Sequence, residues 1–175
     1  MSFKNFIKEE NTDITIFFDM DGTIADFIGK ALEHNPQWTK DDLEGQTIPD
    51  DKFWKHIIKI PNFWETLEPI KNGMEMLKYA SDNGYNVEIL TAHSSNDHRS
   101  IEGKKVWIKK HLSNFNISNI HFEKKKGKHA HSKAILVDDL DKNLKEFKNA
   151  GGKILKIEKN KTKIIELKKV LKTIK

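Results

Sequence analysis

The chain has no cysteine, which excludes disulfide staples, thiolate zinc sites and a cysteine nucleophile. It has no run of 18 apolar residues, so no transmembrane helix is expected. The opening stretch MSFKNFIKEENTD lacks the apolar core of a secretory signal. These absences together set the expectation of a cytoplasmic protein with no membrane association. There is no internal repeat or low-complexity block. What remains is an ordinary globular chain of 175 residues, the size of one domain with room for a small insertion. A chain of this length can bury roughly 70% of its unfolded surface.

Charge is uneven. The net formal charge is +5, but residues 123–133 carry +4 and residues 153–175 carry +7, leaving −6 on the remainder. A basic patch can attract anions, nucleotides or nucleic acid. For the C-terminal stretch a solvated, lysine-rich helix face is the better explanation of the composition.

The stretch that organises the chain is Ile14-Thr15-Ile16-Phe17-Phe18-Asp19-Met20-Asp21-Gly22-Thr23. Its apolar, β-branched and aromatic run without polar alternation predicts a buried strand. Gly22 permits a sharp turn away from it. Asp19 and Asp21, at i and i+2, would share one side if strand geometry persists. Two carboxylates that close together call for a cation or a shared proton.

Further along, strands alternate with helical stripes. Tyr85–Thr91, Ile120–Phe122, Ala134–Asp139 and Lys153–Ile157 read as strands. Helical stripes are expected from Ile70 to about Ser81, from about Arg99 to Leu112, from Leu140 to Ala150 and from Ile164 to Ile174. This order predicts an α/β fold: a Rossmann-like, parallel, five-stranded sheet with helices on both faces. Residues 25–68 do not read as a single crossover helix. Helices at Ala25–Leu32 and Asp50–Ile60, with Trp38, Trp54 and Trp64 around them, suggest a small helical cap inserted after strand 1. The core would then be residues 1–24 and 69–175. Right-handed crossovers put the carboxyl ends of all strands on one edge, and Asp19, Asp21, Thr91, Asp138 and Asp139 all fall there.

That set suits phosphoryl transfer, which needs a nucleophile, a proton donor and positive charge on the phosphoryl oxygens. Oxygen ligands suit Mg²⁺: Asp19 and Asp138 can each give one, and the Asp21 carbonyl a third. Asp21 can keep a proton for the leaving alkoxide. Lys104 falls on the apolar stripe of its helix with Ile101 and Ile108, near Trp107, and can point inward. Lys105, at the stripe's edge, fits a surface lysine better. His93, His98, His129 and His131 lie near the same edge, but their spacing matches no strong zinc signature.

The order of these parts resembles the haloacid dehalogenase-like (HAD) phosphohydrolases over residues 14–157. DMDGT at 19–23 is similar to motif I, Thr91 in ILTA to motif II, Lys104 to motif III, and Asp138-Asp139 in LVDD to motif IV. The resemblance implies Asp19 as nucleophile through an aspartyl phosphate and Asp21 as acid, then base. It implies Thr91 and Lys104 on the phosphoryl oxygens, and Mg²⁺ held by Asp19, Asp138 and the Asp21 carbonyl, with Asp139 alongside. An acid at position 21 favours a phosphomonoesterase over a dehalogenase.

A narrower resemblance is to the 5′(3′)-deoxyribonucleotidases, whose first motif continues as DMDGVLADF where this chain has DMDGTIADF. Phe63-Trp64-Glu65-Thr66-Leu67-Glu68-Pro69, the Lys104–Trp107 spacing and Lys128 ahead of motif IV also match. This implies a substrate pocket with Phe27, Phe63, Trp64, Ala92 and Lys128, and a nucleoside monophosphate as substrate. The family usually places serine after the motif II threonine, whereas this chain has Ala92, and the loop Ser94–Glu102 has its own composition. Alternatives are a phosphatase for another small ester, one for 3′-phosphate ends of nucleic acid, and a binding module without turnover. The oligomeric state is left open, a homodimer being one option.

Overall fold

The computed structural model describes residues 13–44 and 50–174. The polar lead-in expected at residues 1–12 lies outside the described residues. Five strands, β1 (Thr15–Phe18), β2 (Asn86–Thr91), β3 (Ile117–Phe122), β4 (Ala134–Asp138) and β5 (Lys153–Lys156), form one sheet in the order β3-β2-β1-β4-β5, every pair parallel. The helices are α1 (Phe27–His34), α2 (Lys40–Glu44), α3 (Asp50–Ile57), α4 (Lys71–Asp82), α5 (Ser100–Leu112), α6 (Asp141–Asn149) and α7 (Ile164–Leu171). The predicted strands and the four predicted helices of the α/β framework are all present. β3 begins three residues earlier than its apolar pattern suggested, because its outer residues are exposed at the sheet edge and carry no hydrophobic signal.

β1 and β4 are the central strands, and their side chains are buried on both faces. Alternate residues serve different layers. Ile16, Phe18, Val87, Ile89, Ile135 and Val137 pack with Met76, Leu77, Trp107, Ile108, Leu167 and Leu171 of α4, α5 and α7. Phe17, Leu90, Ala134 and Leu136 pack under Leu144 and Phe147 of α6. The first layer is much the thicker, and the aromatic residues of segment 25–68 are continuous with it.

α1 starts two residues later than predicted. Asp26 is its N-cap, and its Oδ1 accepts from the Gly29 amide at 3.1 Å, satisfying an otherwise orphaned donor. The two ends of segment 25–68 lie side by side. The Asp26 amide donates to the Glu68 carbonyl at 2.8 Å and the Ile70 amide to the Ile24 carbonyl at 2.8 Å. Trp107 Nε1 donates to the Leu67 carbonyl at 2.7 Å, tying the returning end of the segment to α5.

Register does the positioning. Phe18 pairs with Val137 on one side and Ile89 on the other, and the Asp19 amide donates to the Val137 carbonyl at 2.9 Å. Asp19 and Asp138 are therefore next-door neighbours where β1 and β4 end, with Thr91 across the edge on β2.

Candidate active site

Two lysines lie inside this edge, each shut off from solvent. Lys104, from the first half of α5, gives its three ammonium protons three acceptors: Asp21 Oδ2 at 2.6 Å, Thr91 Oγ1 at 2.9 Å and the Ala92 carbonyl at 2.6 Å. Lys126, from the 3₁₀ turn Lys126–His129, bridges Asp19 Oδ1 at 2.6 Å and Asp138 Oδ2 at 2.5 Å. Burial disfavours the charge on Lys126 and is the strongest single influence on it. The Asp19 and Asp138 carboxylates outweigh it together and hold its pKa above the usual lysine value. Asp138 is further fixed by the Leu140 amide on Oδ1 at 2.8 Å and by Asn143 Nδ2 at 3.1 Å from each of its oxygens.

The acids are crowded. Oxygen atoms of Asp19, Asp138 and Asp139 lie within 4.8 Å of one another. Burial first, then the charges of Asp19 and Asp138, push the Asp139 carboxyl up to about 8. Burial and Asp19, partly offset by Lys126, bring Asp138 to about 6. Asp139 Oδ1 is buried without a hydrogen-bond partner. Three hard oxygen donors, one of them orphaned and all poorly solvated, fit a divalent cation such as Mg²⁺. Asp21 is separate from that trio. Its carboxylate turns to Lys104, and enclosure raises its pKa, opposed by Lys104 and assisted by Asp19. Gly22 makes room: at φ +77° a Cβ there would sit 2.2 Å from Asp139 Oδ2, so glycine is required for both conformation and space.

The sequence profile of the family described as 5′ nucleotidase, deoxy (Pyrimidine), cytosolic type C protein matches residues 12–170. The chain belongs to this family. It is thus a HAD-type hydrolase and a phosphatase of the nucleotidase kind. Solved structures agree on the fold. The HAD-hydrolase YfnB of Bacillus subtilis, bound to magnesium, superposes with a TM-score of 0.60 at 15% identity, covering 90% of this chain and 98% of that one. The haloacid dehalogenase-like protein SP0104 of Streptococcus pneumoniae gives 0.54 at 14% identity, with 90% of each chain covered. CbbY of Rhodobacter sphaeroides, in complex with phosphate, gives 0.53 at 14%, covering 82% and 85%. A sequence search of curated proteins finds no match.

For this nucleotidase-family chain, Asp19, Asp21, Thr91, Lys104, Asp138 and Asp139 come together at one edge. Ala92 is there too, through its carbonyl on Lys104. The aromatic expectations divide. Phe27 is half-buried, 5.5 Å from the Trp64 ring and 6.4 Å from Trp54, itself half-buried. Phe63 is fully enclosed, edge-on to Phe27 at 5.3 Å and to Trp64 at 5.3 Å, so it supports the aromatic group from behind. Trp64 is almost fully covered, with Lys104 Nζ 5.1 Å from its ring centroid.

Lys128 is not in the site: it is exposed and pairs with Glu123 Oε2 at 2.8 Å. Two residues earlier, Lys126 takes the inward position. In the run KKKGKH every spacing looks alike, and only the 3₁₀ turn decides which lysine faces Asp19. Asn143 was also missed, one asparagine among the polar residues of a surface helix. Lys105 pairs with Glu102 at the surface. His98 and His131 are exposed, and among the described residues no histidine joins a metal-ligating group. His121 and His129 instead lie 4.3 Å apart with tilted rings, and both pack beside Phe17, at 6.1 and 5.6 Å.

Proposed function

We propose that the chain is a Mg²⁺-dependent phosphomonoesterase that hydrolyses (deoxy)nucleoside monophosphates through an aspartyl phosphate on Asp19. The observation carrying this reading is the division of the two motif I acids. Asp19 faces Lys126 and the Asp138–Asp139 pair, while Asp21 sits apart on Lys104 with a raised pKa.

Asp19 attacks phosphorus, and the bond to the nucleoside oxygen breaks as Asp21 delivers its proton to that oxygen. Asp21 then takes a proton from water, whose oxygen attacks phosphorus and frees Asp19. Lys104, Thr91 and Lys126 hold the phosphoryl oxygens, so negative charge gathering there meets two ammonium groups in an enclosed site. Asp19, Asp138 and Asp139 would hold Mg²⁺, which would neutralise phosphate charge as the anionic nucleophile approaches. Segment 25–68 is read as a cap over this edge, with Phe27 and Trp54 facing the nucleoside, and residues 1–24 and 69–175 as the core.

Nucleic-acid ends fit less well. In the basic stretch 123–133, Lys126 is buried, Lys128 is paired with Glu123 and Lys133 with Asp13, which leaves two of its five lysines, Lys124 and Lys125, exposed and outside any ion pair among the described residues. The family description fits a cytoplasmic location, and among the described residues no helix is long and apolar enough to cross a membrane.

The test is phosphate release from a panel of nucleoside monophosphates, with and without Mg²⁺. Release should require the metal, and Asp19→Asn should lower kcat by about 10³-fold or more. Full turnover by Asp19→Asn would rule out the covalent route.

A further inference from the structure

The chain has thirty lysines and a single arginine, Arg99. That arginine sits in the loop that follows Thr91, and its guanidinium makes a two-pronged contact with Asp97: Nε to Oδ1 at 2.9 Å and Nη2 to Oδ2 at 2.8 Å. Only a planar fork can make this contact, which explains an arginine where lysine is otherwise the rule. Asp97 is 1% exposed. Its Oδ2 also accepts from Trp64 Nε1 at 2.9 Å, and its Oδ1 from the Arg99 amide at 3.1 Å. Arg99 Nη1 reaches across to the Ile60 carbonyl at 3.3 Å. The loop itself is braced: Ser94 Oγ accepts from the Asn96 and Asp97 amides at 3.1 and 3.2 Å, and Ser100 Oγ from the Ser94 amide at 3.0 Å. A buried carboxylate with every acceptor position used holds its partners in one geometry.

Trp64 is what it holds. One ring meets both ends of the site. Lys104 Nζ lies 5.1 Å from its centroid, while Trp54 stacks on it at 6.4 Å with planes 23° apart and Phe27 lies at 5.5 Å. Close approach is built in, since a Cβ at Gly103 would come within 2.5 Å of Trp64 Cβ.

We propose that Asp97 is a positioning residue which, through Trp64, fixes the spacing between the phosphoryl-holding Lys104 and the aromatic wall of Phe27 and Trp54. Asp97 thereby selects phosphate esters that carry a planar ring at one set distance from the phosphate. The inference rests on the nucleotidase reading above and adds to it a residue that touches no reacting atom. Losing the Trp64–Asp97 bond lets the ring turn, so affinity for the ring-bearing end falls while phosphoryl chemistry continues.

Trp64→Phe, Asp97→Asn and Asp97→Ala test it, with two substrates and one binding measurement. Trp64→Phe keeps an aromatic ring in the core but removes the indole donor together with part of the ring's bulk. It should raise KM for a nucleoside monophosphate about tenfold and weaken the calorimetric Kd equally. On acetyl phosphate, which has no ring, the kcat/KM of Asp97→Asn and Asp97→Ala should stay within about twofold of wild type. On the nucleotide, Asp97→Ala should match Trp64→Phe, Asp97→Asn should fall between Trp64→Phe and the wild type, and Trp64→Phe with Asp97→Ala should be no worse than Asp97→Ala alone. Unchanged nucleotide KM and Kd in folded Trp64→Phe and Asp97→Asn would overturn the proposal, even if both melted earlier. Equal losses on acetyl phosphate and nucleotide would overturn it too. If Asp97→Ala does not fold, Asp97→Asn and Trp64→Phe decide. If the wild type releases no phosphate from any ester, the nucleotidase reading fails, and the nucleotide Kd of the same variants still decides the positioning role.

Discussion

The acid edge and the outer helices use lysine in opposite ways. At the edge, Lys104 and Lys126 have no solvent contact and every partner is a carboxylate, a hydroxyl or a backbone carbonyl of the site. On the outer helices, Lys78 pairs with Asp82 one turn away at 2.7 Å and Lys105 with Glu102 at 2.7 Å, with more than half of each side chain in water. The distances are nearly the same, so distance does not separate them. Desolvation does: a buried ammonium is tolerated only because carboxylates face it, and removing it strands those carboxylates in a low-dielectric site. The surface pairs are screened, and either partner can return to water at little cost.

The largest effect that would sharpen this contrast is on Lys126. Lys126→Met leaves Asp19 and Asp138 facing each other without a counter-charge, and should cost about 3–5 kcal/mol in urea denaturation of the metal-free protein. Mg²⁺ added to that variant should restore a large part by ligand linkage. If Lys126→Met unfolds no more easily than wild type, the lysine is not what neutralises the edge.

Next comes pH. The folded values of Asp139, about 8, and Asp138, about 6, both lie above the ordinary 3.8, so between those limits the folded chain binds more protons than the unfolded one. Stability of the metal-free protein should therefore fall as pH rises from about 4 to about 8. Thermal melts across that range check it, and saturating Mg²⁺ should flatten the slope. Asp97 and Glu123, each held at about 2, contribute in the other sense, their stabilisation being lost only as pH falls below about 4.

A smaller effect belongs to Trp107→Phe. It removes the donor to the Leu67 carbonyl and should cost about 1–3 kcal/mol while sparing phosphate release from small esters. The smallest is Lys78→Ala, which should leave the melting temperature within about 2 °C of wild type. A drop there as large as that of Lys126→Met would erase the distinction between the two regions.

Much of the framework was legible in the residues. β-branched and aromatic runs ending in acids locate β1 and β4, and the strand–helix alternation puts Asp19, Asp21, Thr91, Asp138 and Asp139 on one edge. The lysines were harder. Lys104 could be picked out because its helix has an apolar stripe that includes its position. Lys126 could not, since its run is lysine on both sides and a 3₁₀ turn carries no periodic signal to orient it. Phe63 and Trp64 are expected to line the substrate pocket; the structure buries both, with Phe63 edge-on to Phe27 of α1 and to Trp64, a packing the local sequence does not encode.

The amino-acid order alone determined the sheet, its direction and which acids reach its carboxyl edge. Those follow from local period and from the single handedness of parallel crossovers, both written along the chain. Only the tertiary structure decided which lysine faces Asp19, that Asp97 spends its oxygens on Trp64 and Arg99, and that segment 25–68 is pinned at both ends. The deciding contacts, Lys126 to Asp19, Asp97 to Trp64 and Asp26 to Glu68, join residues far apart in sequence, and the local pattern around each partner is the same whether or not the contact forms.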